Sequence, residues 1–242
     1  MQANIPQIRQ YLSFLCLAVI CYTSVHAQEA PAGNYLNQAD DYAYIYNGRL
    51  EPVYSMVMYK ELPYYRNADY TEASIVYRNN YYPNQKVRLD LFKEQLILLL
   101  PGKNYGIVLD DRKVNKVSMY NKTFVWLSPP KESKLKNGYY MQLHAGKNIQ
   151  LFCKETYSLE KKMSQERVTF YFDRAKRYYL LHNNRYRTVK NKTAFSKSFP
   201  QYKKQINQFV KEHKLDFKQN PDESLTTLAA YCEELTNSTN KP

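Results

Sequence analysis

Two stretches of this sequence reverse direction within a few residues and carry alternating apolar side chains on both sides of the reversal. Between Gly138 and Lys154, Tyr139, Met141 and Leu143 share one face, the chain turns around Gly146, and Ile149, Leu151 and Cys153 share one face of the return. Between Arg177 and Lys190, two β-favouring runs flank Asn183-Asn184. Asparagine tolerates the positive φ that both central residues of a tight hairpin turn demand. A period of two on either side of such turns fits antiparallel strands and not helices.

The rest of the first 192 residues agrees. Short runs rich in tyrosine and β-branched residues lie at 42–46, 53–59 and 74–77, with turn signals at Asn79-Asn80 and Pro83-Asn84. Residues 87–91 alternate strictly, whereas 96–100 are apolar throughout and predict a strand buried on both faces. Further short runs follow at 107–109, 117–120 and 123–127. The expected body, residues 28–192, is a curled antiparallel sheet, a sandwich or a partial barrel. After it the period changes. Ser198 is expected to cap a helix carrying the stripe Tyr202, Ile206, Phe209 and Val210. Asn220-Pro221-Asp222-Glu223 opens a second helix with Leu225, Leu228, Ala229, Cys232 and Leu235 on one side. The fold class is therefore α+β: mainly antiparallel β with a C-terminal pair of amphipathic helices at 193–235, then a frayed tail at 236–242.

The first 27 residues differ from all of this. One cation, Arg9, precedes an apolar run at 11–21, and Val25-His26-Ala27 ends it. That pattern predicts a signal peptide cleaved after Ala27, because the run is too short to span a bilayer. Lipidation at Cys21 is the rival, disfavoured by the bulky Val19 and Ile20 before it. The expected location is extracytoplasmic, in the periplasm or at the outer membrane, with no transmembrane span in the mature chain. Cys16 and Cys21 leave with the signal. Cys153 and Cys232 then fit two separate buried thiols, with a disulfide as the alternative. No metal set is expected, since His144, His182 and His213 lack paired spacing.

The chain has 35 Lys and Arg against 22 Asp and Glu, and residues 154–218 hold most of the excess. A one-signed region of this kind attracts anions. Arg185, Arg187 and Lys190 on the last hairpin, with Lys203, Lys204 and Lys211 on the first long helix, are the candidate binding residues. The expected partner is an anionic envelope component or an envelope protein. Nucleic acid is set aside, because export removes the protein from it and the 25 tyrosines are spread along the chain. No nucleophile elbow, zinc motif, phosphate loop or C-x-x-C is present, so no catalytic residue and no cofactor is assigned.

The segment Ala73-Ser74-Ile75-Val76-Tyr77-Arg78-Asn79-Asn80-Tyr81-Tyr82, followed by residues 87–95, resembles a group of uncharacterised exported proteins of Bacteroidota. In these, G-S-V-x-Y-x-G-x-x-Y precedes V-x-L-x-Y-D-x-x-x-D-x-L. Here Ala73 replaces the first glycine, Asn79 or Asn80 the second, and Leu91-Phe92 the Tyr-Asp pair. The likeness extends over about residues 70–235 and implies export and a shared fold, with no activity attached. Two functions are carried forward. The first is a non-enzymatic envelope protein that binds through its basic C-terminal region. The alternative is a periplasmic carrier that holds a lipid or lipoprotein in an apolar pocket.

Overall fold

The computed structural model describes residues 44–239, apart from 56–57, 60, 134 and 164–167. The expected signal peptide and the lead-in at 28–42 lie outside the described residues. Among those described, eleven strands form a single curled open sheet. They are β1 (Arg49–Leu50), β2 (Thr71–Tyr77), β3 (Asn80–Asp90), β4 (Gln95–Leu99), β5 (Gly106–Val108) and β6 (Val114–Met119), then β7 (Lys122–Leu127), β8 (Gly138–Ala145), β9 (Ile149–Met163), β10 (Val168–His182) and β11 (Arg185–Thr188). Their order is β1-β5-β4-β3-β2-β6-β7-β8-β9-β10-β11, and every pairing is antiparallel.

Local chemistry sets the reversals. Arg78 and Asn79 join β2 to β3, Tyr120 and Asn121 join β6 to β7, and Asn183 and Asn184 join β10 to β11, all at positive φ. Two successive positive φ values match the right-handed twist of the flanking strands. The first of these turns lies one residue earlier than the Asn79-Asn80 signal, and Asn80 opens β3 instead. Two other expectations shift further. Tyr44 and Ile45 are helical, not extended. Most of the run at 53–59 is irregular, because Tyr54 and Tyr59 pack their rings on Phe172 rather than joining the sheet edge. Only Tyr59 makes an isolated bridge, to Phe170.

The core occupies the inner face of the curl. Leu96 and Leu98 belong to the main cluster and Ile97 to a second one with Tyr54, Tyr64 and Phe172, so β4 is buried on both sides as its apolar run predicts. Cys153 and Leu180 face the C-terminal helices α1 (Lys192–Ser196), α2 (Lys203–Glu212) and α3 (Pro221–Thr239). Ile206 of α2 and Leu225, Leu228, Ala229 and Cys232 of α3 fill the concave side. Phe209 stacks on Tyr231 at 3.9 Å and ties the two longer helices together. Asp222, at the start of α3, accepts hydrogen bonds from Lys176 and Tyr178 of β10. Further along α3, Glu233 accepts from the backbone N–H groups of Asn148 and Ile149 in the β8–β9 turn. A Cβ on Gly146 would fall 2.4 Å from that carboxylate, which is why the turn carries glycine there.

Both ends of the tail depart from expectation. Ser198 caps nothing; Phe199 precedes a short 3-10 turn (Pro200–Tyr202) without a side-chain cap. Phe199 is completely buried between Phe195 and His182, and its anchoring draws Ser198 inward. At the far end α3 continues through Thr239, held by the Thr236 hydroxyl, which donates to the Glu233 carbonyl. Cys153 and Cys232 are separate buried thiols, and burial pushes both up to about 12. No helix among the described residues is long and apolar enough to cross a membrane.

Candidate anion-binding site

Residues 174–211 contain eleven Lys and Arg and not one Asp or Glu. Arg174 and Lys176, on β10, pair with Glu155 and Asp222. From Arg185 onward no ion pair forms among the described residues at Arg185, Arg187, Lys190, Lys192, Lys197, Lys203, Lys204 or Lys211. With no ion pair formed, their charge is left to solvent.

The fold gathers five of these cations around α1. Arg187 pairs across the ladder with Leu180, so it projects on the helix side of β11. The N–H of buried Val189 donates to the Tyr178 carbonyl and extends that ladder by one step. The chain then leaves the sheet at Lys190, and the Asn191 side chain accepts from the Ala194 N–H to start α1. Two clefts result. One, of about 440 Å3, is lined by Arg187, Lys190, Thr193, Lys197 and Ser198 among others. The other, of about 320 Å3, is lined by Lys192, Thr193, Ser196, Lys197 and Lys203. Thr193 and Lys197 belong to both, so the clefts adjoin.

Each cleft is also bordered by a serine whose hydroxyl is buried without a partner. Ser196 and Ser198 are each 6% exposed, and neither hydroxyl has a hydrogen-bond partner in the structure. Leaving a buried hydroxyl unmatched costs about 1–3 kcal/mol.

Of the residues singled out by sequence, Arg187 and Lys190 line the first cleft and Lys203 the second. Arg185 is exposed beside the β10–β11 turn; Lys204 and Lys211 are exposed on α2 and line neither cleft. Lys192, Lys197, Ser196 and Ser198 were missed. The signal that finds the lysines is the carboxylate-free stretch itself. Nothing in the sequence marks the serines, whose burial follows from the packing of Phe195 and Phe199.

A different polar pocket, of about 410 Å3, opens on the side of β8–β10 away from the helices, around Tyr140, Lys154, Arg177 and Tyr179. Its floor is an ion pair. Glu94, at φ 55° in the β3–β4 turn, accepts from Lys154 Nζ at 2.5 Å and from the Tyr139 N–H at 2.8 Å. Lys154 also donates to the Tyr139 carbonyl and lies 4.7 Å from the centre of the Tyr140 ring. Burial raises the Glu94 carboxyl and lowers the Lys154 ammonium, while each charge opposes the other's shift. Gly138 makes room: a Cβ there would sit 2.5 Å from both Glu94 Oε2 and Lys154 Nζ. With these contacts in place, the pair acts as a clasp between the β3–β4 turn and β8–β9.

Among the described residues no group of three or more His, Cys, Asp or Glu could hold a metal ion. No family model, no curated protein and no solved structure matches the chain.

Proposed function

We propose that the protein is exported and acts in the cell envelope as a non-enzymatic binder. It engages an anionic envelope component, or an envelope protein presenting acidic groups, through β11 and the two helices that follow. The observation that carries this reading is the set of unpaired cations from Arg185 to Lys211, five of which converge on two adjoining clefts. Arg88, Lys154, Arg174 and Lys176, by contrast, each lie beside a carboxylate.

The alternative, a lipid carrier, needs apolar space inside the curl. Phe195, Phe199, Leu225 and Leu228 occupy that side, which favours the binder. The test is sedimentation with phosphatidylglycerol-containing vesicles. Reversing Arg185, Arg187 and Lys190 to glutamate is expected to weaken retention by roughly a hundredfold or more, at ~1 kcal/mol for each basic residue near an anionic surface. The melting temperature should stay unchanged, and added salt should weaken wild-type retention. Salt-independent retention that survives the reversal would remove the proposal.

A further inference from the structure

The pocket around Glu94 and Lys154 lies where two neighbouring strands part. Gly138, Tyr139 and Tyr140 of β8 stay paired with β7, and β9 from Lys154 onward stays paired with β10. Between β8 and β9 the ladder reaches only as far as Met141 and Cys153. The Tyr139 N–H and carbonyl turn instead to the Glu94 carboxylate and the Lys154 ammonium, which fill the split. We infer that this split is a saccharide-binding site that takes a sugar ring carrying a carboxylate, a uronic acid. It lies on the face of the sheet away from α1 and its clefts, so the inference goes beyond the envelope-binding reading and stands without it.

Each part of such a sugar meets a matching group. The volume of about 410 Å3 falls within the ~300–1,000 Å3 of ligand pockets. Glu94 supplies the acceptor. Its side chain is 22% exposed, and Lys154 and the Tyr139 N–H take two of the roughly four lone-pair sites of its carboxylate. The remaining sites accept sugar hydroxyls and repel a ligand that is all acceptor, such as phosphate or sulfate. The apolar wall comes from Tyr179, half-buried and edge-on to Tyr140 at 5.9 Å, and from Phe92, 39% exposed and edge-on to Phe172. The C–H face of a pyranose packs on such rings. Ala175, opposite Thr156 in the ladder, keeps that stretch of β10 short enough for the sugar to enter. Charge completes the match. Lys154 balances Glu94, whereas no ion pair forms at Arg177 or Lys136 among the described residues, so the rim is positive. A sugar carboxylate placed there gains charge-assisted hydrogen bonds, from Arg177 as a fork.

The test titrates trisaccharides of galacturonic, glucuronic and mannuronic acid, each against its methyl ester, while the backbone amide resonances of residues 154–158 and 175–179 are followed. At least one acid is expected to bind there, with its ester about tenfold weaker. Arg177→Gln should erase the difference between acid and ester and leave the melting temperature unchanged, because that side chain is exposed. Ala175→Phe should abolish binding of both by filling the pocket, at an exposed strand position where an aromatic residue suits the backbone. Binding that survives Ala175→Phe, equal affinity for acid and ester, or no shift with any of these sugars would overturn the inference. Benzoate tests the rival ligand class. Should it bind at these residues as tightly as the best uronic acid, the pocket takes a flat aromatic acid and the inference fails. None of these outcomes bears on the vesicle test of Arg185, Arg187 and Lys190, so the two readings stand or fall separately.

Discussion

At Lys154 the sheet surrounds a buried ammonium with a carboxylate at 2.5 Å, a backbone carbonyl and an aromatic ring. At Lys197, beside α1, an ammonium stands exposed with two neighbouring lysines in each direction along the chain and no carboxylate within reach in sequence. The same contrast repeats elsewhere. Arg88 forms a forked pair with Glu51, whose carboxylate also accepts from Tyr64 and Tyr70. Arg174 meets Glu155 at 2.7 Å. In the body, then, charge near the core is matched by opposite charge, because an unmatched ion in low dielectric is costly. In the C-terminal segment the cations remain in water, where they are cheap to keep and available to a partner.

The comparison breaks most sharply at the clasp. Replacing Glu94 with Gln strands the Lys154 charge and should cost about 3 kcal/mol or more in urea unfolding, with much of the loss recovered when Lys154→Met is added. If the single variant unfolds at the wild-type midpoint, the paired character assigned to the body is wrong. Gly138→Ala attacks the same clasp from the side. It places a methyl at φ +151° against both charges, and a loss of roughly 2 kcal/mol is expected.

A pH titration reads the next link. Desolvation raises the Asp222 carboxyl, but hydrogen bonds from Lys176 and Tyr178 outweigh it and hold the group below the usual carboxylate range. A carboxyl depressed on folding contributes stability above its unfolded pKa and loses it as pH falls through the folded value. Acid should therefore weaken the docking of α3 on β10, and Asp222→Asn should remove that part of the acid dependence and cost about 1–2 kcal/mol at neutral pH. A circular dichroism melt series from neutral to acid pH checks both. The smallest effect belongs to the other region: neutralising Lys197 and Lys203 to Gln should change stability by less than about 0.5 kcal/mol. A large loss there would mean that these cations have structural partners after all.

The strands whose ends are set by local chemistry were legible in the sequence. The Asn183-Asn184 turn specifies its hairpin locally, and the alternation on either side of Gly146 marks the other, although Glu233 of α3 also holds that turn and the pairing shifts by a bulge between Gln142 and His144. The features set by distant contact were not. β9 and β10 continue to Met163 and Val168, well past the apolar phase that ended near Lys154, because fifteen consecutive pairs hold the two strands together despite charged side chains. The run at 53–59 has strand composition, yet its tyrosines serve the rings of Phe170 and Phe172, more than a hundred residues away. The candidate binding region divides in the same way. Its charge was visible as composition, whereas the two serines enter it only through the burial of Phe195 and Phe199.

The open sheet ends in two very short strands, Arg49–Leu50 on one side and Arg185–Thr188 on the other. A long, uncharged border would invite a strand from another copy to join, and brevity with positive charge discourages it. The arginines of β11 would thus act against lateral pairing of identical molecules. Crowding onto a negatively charged film would cancel that repulsion where copies are most concentrated, and the residual barrier to lateral joining would be the four-residue length of the border itself.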